Sequence, residues 1–169
     1  MYEGPKIILL RGNSGSGKTT IANELQKHFG KGTFLISQDV IRREMLYVND
    51  GLNNPAIDLM INLVKYGKEN CKIVILEGIF YSEWYQQLFH AVKNEFRNAI
   101  YAYYFDIPFG ETLNRHKKRA KVSDFGEKEM RRWWREKDCL KLIPETIIDE
   151  KMSKEKIVQT IKNDVFSIN

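Results

Sequence analysis

The sequence predicts an α/β protein of three layers, with a parallel sheet between two layers of helices. Short segments rich in β-branched and aromatic residues alternate along the chain with segments of helical periodicity, as in βαβ units. Several short segments are apolar on successive residues, which is typical of strands buried on both faces. Because 169 residues suffice for one such domain with its core, we expect a single domain over residues 1–169.

The elements follow from these two patterns. Five short apolar segments are predicted as strands, namely Lys6–Arg11, Thr33–Ser37, Lys72–Glu77, Ile100–Asp106 and Glu145–Ile148. Segments with apolar residues three and four apart are predicted as helices, namely Lys18–Phe29, Asp39–Met45, Pro55–Glu69, Glu83–Phe96, Phe109–Arg119, Glu127–Lys137 and Ser153–Phe166. Parallel sheets of this kind bind ligands at the carboxyl ends of their strands, so functional residues are expected there.

Composition excludes several classes of protein. No apolar stretch approaches the roughly 18 residues that cross a bilayer, and the chain begins without a charged and then apolar leader. We therefore expect a cytoplasmic protein with no membrane partner. Cys71 and Cys139 form no C-x-x-C pair, and the three histidines lack metal-ligand spacing, which excludes a disulfide scaffold and a zinc module.

The positive charge of the chain is concentrated in one segment. The net charge is +5, and residues 115–137 contain ten Lys or Arg and four Asp or Glu, a net charge of +6. This polarity favours an anionic ligand such as a nucleotide or a nucleic acid, although a solvated helical face would show the same pattern.

A phosphate-binding loop follows the first predicted strand. Residues 12–19, GNSGSGKT, match the pattern G-x-x-x-x-G-K-[ST] between a strand and a helix, where backbone N–H groups can converge on phosphate oxygens. We expect Lys18 to contact the β- and γ-phosphates as a catalytic group, and the Thr19 hydroxyl to bind Mg²⁺. ATP or GTP is the expected ligand. The predicted nucleotide-binding residues are Gly12, Asn13, Ser14, Gly15, Ser16, Gly17, Lys18, Thr19, Thr20 and Arg115.

The acceptor of a phosphoryl group is predicted at the ends of the second and third strands. Asp39 could accept the proton of an attacking hydroxyl, and Arg42, about one turn later, could hold an anionic acceptor. Helix capping by Ser37 or Asp39 and a solvated face are the simpler alternatives. Glu77 stands where many P-loop proteins place an acidic residue near Mg²⁺; it could also orient the acceptor or only end the strand.

A basic helical lid is predicted over approximately residues 109–137. Arg115 and Arg119 lie four residues apart on one helical face, and a second helix carries Arg131, Arg132 and Arg135. Two such helices joined by a looser segment suit a lid that closes over ATP and stabilises the transferring phosphoryl group. Trp133 and Trp134 are interpreted as packing residues.

With these motifs assembled, the sequence resembles P-loop kinases of the nucleoside-monophosphate-kinase-like fold, in particular the kinase domains of polynucleotide 5′-hydroxyl kinases. Zeta-toxin-like and chloramphenicol-phosphotransferase-like kinases have a similar pattern. The resemblance is carried by GNSGSGKT, by QDVIRREM after the second strand and by YFDIPFGETLNRHKKRAKV. It implies that Asp39 is the general base, Arg42 the acceptor-phosphate clamp and Arg119 the catalytic lid arginine, with Arg115 as its partner. Glu77 departs from the aspartate that these kinases tend to have.

We therefore predict a kinase that uses ATP and Mg²⁺ to phosphorylate a hydroxyl group, with a nucleoside or nucleic-acid 5′-hydroxyl as the leading acceptor. A small metabolite, a nucleotide sugar or an antibiotic is the alternative acceptor. Asp39, Arg42 and Glu77 are the predicted substrate-binding residues. A nucleotide-hydrolysing switch or a nucleic-acid-binding module is the alternative from another class.

Overall fold

A parallel five-stranded sheet forms the centre of the computed structural model, which describes residues 4–118 and 126–166. The strands are β1 (Lys6–Gly12), β2 (Thr33–Ser37), β3 (Ile73–Gly78), β4 (Ile100–Asp106) and β5 (Thr146–Asp149), in the spatial order β2-β3-β1-β4-β5. All four neighbouring pairs are parallel. The predicted strands agree with these bounds to within one residue, and the predicted fold class is confirmed.

Helices cover both faces of the sheet. They are α1 (Lys18–Phe29), a π-helix (Val40–Met45), α2 (Ala56–Asn70), α3 (Gln86–Phe96), α4 (Phe109–Lys117), α5 (Glu127–Trp133) and α6 (Lys154–Phe166). One apolar core lies between the sheet and helices α2 and α3, and a second lies between the sheet and helices α1 and α6. This is the predicted three-layer arrangement.

The central strand contributes to both cores. Ile7 and Leu9 belong to the core beneath α2 and α3, while Ile8 and Leu10 belong to the core beneath α1 and α6. All four side chains are fully buried, which explains why the strand is apolar on successive residues. Strand β1 is therefore the central strand of the sheet, and residues 12–19 lie at its carboxyl end.

Three helical predictions need correction. The helix predicted over Glu83–Phe96 begins three residues later, at Gln86. The segment predicted as a helix over Asp39–Met45 is a π-helix that begins at Val40. The helix predicted over Glu127–Lys137 ends at Trp133, because Trp134 adopts an extended conformation with φ of −64° and ψ of 132°. Beyond Trp133 the chain makes tertiary contacts that replace helical hydrogen bonds.

Candidate active site

The P-loop takes a conformation that requires glycine at two positions next to other parts of the chain. Gly12 has a φ of +145°, and a Cβ there would lie 2.8 Å from the carbonyl oxygen of Phe105 on β4. Gly15 has a φ of +77°, and its Cβ would lie 2.8 Å from the carbonyl oxygen of Thr112 on α4. The loop is therefore held between β4 and the first lid helix, and side chains at these positions would displace it.

Several polar groups of this loop are buried. Lys18 is buried, and its ammonium group donates to the carbonyl oxygen of Asn13 at 2.8 Å and to the hydroxyl of Ser16 at 3.2 Å. Thr19 and Thr20 follow at the exposed start of α1. The predicted nucleotide-binding residues 12–20 are thus one continuous strand-loop-helix unit.

Glu77 joins the P-loop to the end of β2. Its carboxylate accepts a hydrogen bond from the Ser37 hydroxyl at 2.6 Å and one from the Thr19 hydroxyl at 3.2 Å. Burial raises the pKa of the Glu77 carboxyl, against the Ser37 hydrogen bond and the charge of Lys18, which both lower it. Glu77 therefore lies beside Thr19, the residue predicted to bind Mg²⁺.

The residues around Glu77 fit a magnesium ion. The hydroxyl of Thr19 and the carboxylate of Glu77 are oxygen donors, which Mg²⁺ prefers, and they contact each other directly. Residues 4–118 and 126–166 contain no cluster of three or more His, Cys, Asp or Glu that could hold a metal by itself. Such a sparse donor set suits an ion that takes its remaining ligands from nucleotide phosphates and water.

Asp39 lies at the start of the π-helix and contacts two arginines. Its carboxylate is 3.4 Å from Nη2 of Arg42 and 3.5 Å from Nε of Arg43, and the side chain is 64% exposed. Asp39 occupies the N-cap position of this helix, as one alternative predicted, but its side chain makes no capping hydrogen bond, and Ser37 donates to Glu77 instead of capping. The Asp39 carboxylate is thus free of a capping role and accessible from solvent.

The structure brings Asp39 and the P-loop into one cleft. The cleft is lined by Ser14, Gly15, Gly17, Lys18, Thr19, Gln38, Asp39, Glu77, Gly78 and Ile79. The P-loop, Asp39 and Glu77 therefore line the same cleft. A triphosphate bound by the P-loop and a hydroxyl group beside Asp39 would lie in this one cleft.

The segment predicted as a lid contacts the P-loop directly. It is called the lid segment from here on and comprises the described residues 109–118 and 126–137. Arg115 donates from Nη1 to the carbonyl oxygen of Ser16 at 3.0 Å and pairs with Glu111 at 2.8 Å. Arg119 lies outside the described residues. Arg131 does not point into the cleft as expected for this lid, because it is largely exposed, pairs with Glu127 and lies over the ring of Phe109.

Gln38 was not among the predicted site residues, although it organises the acceptor side of the cleft. Its side-chain oxygen accepts from the backbone N–H of Ile79 at 2.8 Å, and its amide nitrogen donates to Tyr85 at 2.6 Å. The Tyr85 hydroxyl donates in turn to Asp50 at 2.6 Å, and burial followed by the charge of Asp50 raises the pKa of Tyr85. The one available signal was a polar residue between Ser37 and Asp39 at a strand end.

A second unpredicted cluster surrounds Arg11, at the end of β1. Its guanidinium is fully buried and contacts both carboxylate oxygens of Glu145 at 2.9 and 3.0 Å, and Asp138 at 3.0 Å. It also donates twice to the carbonyl oxygen of Phe80. A charged residue inside an apolar strand is the signal that could have indicated this cluster, since buried arginine needs such partners.

Comparison with known families accounts for this arrangement. A family model described as an AAA domain matches residues 7–141, which is most of the chain. The chain belongs to the AAA domain family. The matched residues of this AAA domain include the P-loop, Asp39, Glu77 and the lid segment. Comparison with curated proteins found no match.

Solved structures share the fold of this AAA domain. The tunicamycin resistance protein of Deinococcus radiodurans has a TM-score of 0.65 and 17% identity, with 96% of each chain covered. An APS kinase of Mycobacterium tuberculosis, solved with AMPPNP and APS, has a TM-score of 0.66 and 15% identity, with 98% of this chain and 99% of that chain covered. A chain of an RNA repair complex has a TM-score of 0.58 and 20% identity, with 78% of this chain and 43% of that chain covered.

These comparisons confirm the prediction of a P-loop kinase-like domain of a nucleotide-binding family. A tunicamycin resistance protein and an APS kinase share the fold, so the fold leaves the substrate open. In residues 4–118 and 126–166, no helix combines the length and the apolar character needed to span a bilayer.

Proposed function

We propose that this protein is a kinase that transfers the γ-phosphoryl group of ATP to a hydroxyl group, with Mg²⁺ as its metal. The observation that carries the proposal is the shared cleft, which is lined both by Lys18 and Thr19 of the P-loop and by Asp39, whose side chain is accessible to solvent. A nucleotide-hydrolysing switch has no need of a carboxylate base and arginines opposite its phosphate cradle. The cleft therefore supports transfer to a second substrate.

Each residue of the cleft has a separate role in the proposed reaction. Asp39 accepts the proton of the acceptor hydroxyl as its oxygen bonds to the γ-phosphorus, and the bond from that phosphorus to the bridging oxygen breaks to release ADP. Lys18 stabilises charge on the phosphate oxygens, as do lid arginines, among which we propose Arg115 and Arg119. Thr19 and Glu77 would hold Mg²⁺, directly or through water, and the ion would neutralise charge between the β- and γ-phosphates.

Arg42 supports an anionic acceptor. Its side chain is only 13% exposed, and its terminal nitrogens contact Asp39 and the carbonyl oxygen of Val48 at 3.2 Å. Its Nε is buried and has no hydrogen-bond partner within the described chain. An unpaired buried donor is unfavourable, so a phosphate oxygen placed there would be stabilised.

The surface next to Arg42 also favours a nucleoside or nucleic-acid acceptor. Tyr47 is 92% exposed, and Met45, Leu46 and Leu52 are exposed in the same segment. The backbone of Val48 donates to the carbonyl oxygen of Arg42 at 2.8 Å, so the turn that presents Tyr47 is tied to Arg42. An exposed aromatic ring in the segment that follows Arg42 could stack on the base of a nucleic-acid end whose phosphate binds the Arg42 guanidinium. We infer that the acceptor is a nucleoside or a nucleic-acid 5′-hydroxyl.

The decisive experiment offers γ-labelled ATP and Mg²⁺ with a panel of acceptors: a 5′-hydroxyl oligonucleotide, nucleosides, sugars, a nucleotide sugar and antibiotics. We expect label in the oligonucleotide or the nucleosides. The Asp39→Asn variant should lose transfer by about 100-fold or more, the usual contribution of a general base, while its affinity for AMPPNP stays within twofold.

The exposed Asp58, on α2, supplies the matched control, and Asp58→Asn should transfer label like the wild type. Label in a sugar or an antibiotic would replace the proposed acceptor but keep the kinase. Release of inorganic phosphate alone, at the same rate in the wild type and Asp39→Asn, would instead support the nucleotide-hydrolysing switch.

A further inference from the structure

The side chain of Asn13 points away from the phosphate cradle and into the lid segment. Its Oδ1 accepts a hydrogen bond from the backbone N–H of Arg135 at 3.0 Å, and its Nδ2 donates to the backbone carbonyl oxygen of Arg135 at 2.6 Å. Asn13 is buried, so both bonds are shielded from water. The second residue of the P-loop thus pairs with the backbone N–H and C=O of one residue that lies 122 positions later in the chain.

The paired contact explains where helix α5 ends. Trp134 is extended, and the N–H and the C=O of Arg135 both bond to Asn13 instead of continuing the helix. A carboxamide is the side-chain group that offers one donor and one acceptor side by side, so it imitates a strand neighbour. Serine, alanine and aspartate cannot make both bonds.

Neighbouring contacts hold the same lid end from the other side. The Tyr81 hydroxyl donates to the carbonyl oxygen of Trp133, and the Arg135 guanidinium lies 5.1 Å from the Tyr81 ring centroid. Three residues further on, Asp138 pairs with Arg11 of β1 at 3.0 Å. The end of the lid segment is therefore attached to Asn13, and the residue that follows the segment is attached to Arg11. Asn13 and Arg11 are the two residues that flank Gly12.

We propose that Asn13 is a positioning residue that fixes the carboxyl-terminal end of the lid segment to the P-loop before the nucleotide binds. This inference rests on the proposed function in that the segment acts as a lid over ATP. Holding one lid end in place lowers the ordering cost that nucleotide binding must otherwise meet. Removing the carboxamide should therefore weaken nucleotide binding without removing any phosphate contact of the loop.

The test replaces Asn13 by alanine and measures two quantities. The first is the dissociation constant for AMPPNP with Mg²⁺, which we expect to rise about ten- to thirtyfold, the equivalent of two net hydrogen bonds. The second is tryptophan emission in a Trp84→Phe background, where Trp133 and Trp134 next to Arg135 supply the signal. We expect this emission to change in Asn13→Ala before any nucleotide is added.

Asn70→Ala is the matched control. It removes the same group from the exposed end of α2, where the Asn70 side chain bonds only to the carbonyl oxygen of Tyr66 among the contacts described. Both measured quantities should match the wild type. In Asn13→Ala, an AMPPNP affinity within twofold of the wild type, or an unchanged tryptophan emission, would overturn the proposal.

Two further variants keep the test decisive. The Arg135→Ala variant keeps the backbone groups that bond to Asn13. Adding Asn13→Ala to this variant should therefore weaken AMPPNP binding as much as it does in the wild type. If the added change had no effect, Asn13 would act through the Arg135 guanidinium, and the proposed backbone contact would be refuted. Should Asn13→Ala not fold, Asn13→Asp keeps the size and removes the donor, and tryptophan emission must still change.

These measurements need no acceptor. A protein that binds AMPPNP but transfers no phosphoryl group would refute the proposed kinase and leave the dependence of nucleotide binding on Asn13 intact. Phosphoryl transfer by the wild type, together with an Asn13→Ala variant whose AMPPNP affinity and tryptophan emission match the wild type, would support the kinase and refute the role proposed for Asn13.

Discussion

Glu77 is the side chain on which both substrates of the proposed reaction depend. It bonds to Thr19 of the phosphate cradle and to Ser37, which precedes Gln38 and Asp39 at the end of β2. Burial favours its neutral form, whereas Mg²⁺ requires the carboxylate. Binding of Mg²⁺ beside Glu77 should therefore lower the pKa of this carboxyl, and the site should bind Mg²⁺ with ATP better than either one alone.

The Glu77→Gln variant tests this coupling. We expect the gain in AMPPNP affinity that Mg²⁺ produces to fall about tenfold or more, since groups next to a metal commonly contribute this much. Titration calorimetry with and without Mg²⁺ measures the effect. Glu69→Gln, an exposed change on α2, is the control and should keep the full gain. An undiminished gain in Glu77→Gln would remove Glu77 from the metal site.

The raised pKa of Glu77 also predicts how stability depends on pH, and the Glu77→Gln variant tests this prediction. The raised pKa means that the contribution of Glu77 to folding is present below its ordinary value of 4.5 and is lost as pH rises through the folded-state pKa. The difference between the free energy of unfolding of Glu77→Gln and that of the wild type should therefore shift in favour of the variant as pH rises above about 4.5. This difference should stop changing once the pH is above the folded-state pKa of Glu77. Urea unfolding at a series of pH values measures the difference.

Residues of the candidate site could be predicted from the sequence where they belong to one short motif or directly follow a strand. The glycines, Lys18 and Thr19 occur within one short motif, and Asp39 follows a strand end. Gln38, Tyr85 and Asp50 belong to three different segments, so only the fold brings their side chains together. Asn13 was predicted as a nucleotide-binding residue, but no spacing indicates that its side chain contacts Arg135.

Helix α4 and the P-loop contact each other so closely that a single methyl group would separate them. At Gly15 a Cβ would approach the carbonyl oxygen of Thr112 within 2.8 Å and the methyl group of Met130 within 3.3 Å. Both lid helices thus meet the loop at one glycine, in a left-handed conformation that other residues adopt at a cost.

Gly15→Ala should consequently loosen this contact. We expect the affinity for AMPPNP to fall about tenfold or more and the protein to lose about 1–3 kcal/mol of stability through backbone strain. Gly110→Ala is the matched control, because a Cβ there meets nothing within 4 Å; as a helical glycine it should gain up to about 1 kcal/mol. Nucleotide titration and urea unfolding give both quantities. Equal behaviour of the two variants would contradict the close contact.

The elements themselves were predicted more accurately than their ends. Strands buried on both faces have an unmistakable apolar pattern, and all five were found. The π-helix carries the same side chains as an α-helix, so sequence spacing does not distinguish the two. Helix α5 is shorter than predicted because Asn13 competes for the peptide groups of Arg135, and this competition depends on tertiary structure.

At the scale of the whole molecule, the buried Arg11 links distant parts of the chain. It contacts Phe80 after β3, Asp138 after the lid segment and Glu145 before β5. Its guanidinium also lies 5.2 Å from the ring centroid of Phe89 and 5.6 Å from that of Tyr104. One charged group thereby holds the end of the central strand to the segment that returns from the lid.

Arg11→Met should destabilise the protein strongly. Removing the cation leaves the carboxylates of Asp138 and Glu145 without their buried partner, at a cost of about 3–5 kcal/mol. Arg131→Met removes an exposed ion pair with Glu127 and should cost at most about 1 kcal/mol. Urea unfolding compares the two variants. A loss in Arg11→Met no larger than in Arg131→Met would show that the cluster is dispensable.

The strand order has a consequence for how new enzymes arise on this fold. The nucleotide cradle follows the central strand β1, whereas Asp39, Arg42 and Tyr47 follow β2, which is an edge strand with one neighbour. Mutations, insertions or grafted sequences within residues 38–55 therefore alter one rim of the sheet and leave its middle untouched. If this segment binds the acceptor as proposed, exchange of the segment should change acceptor specificity, which makes it the first target for redesign.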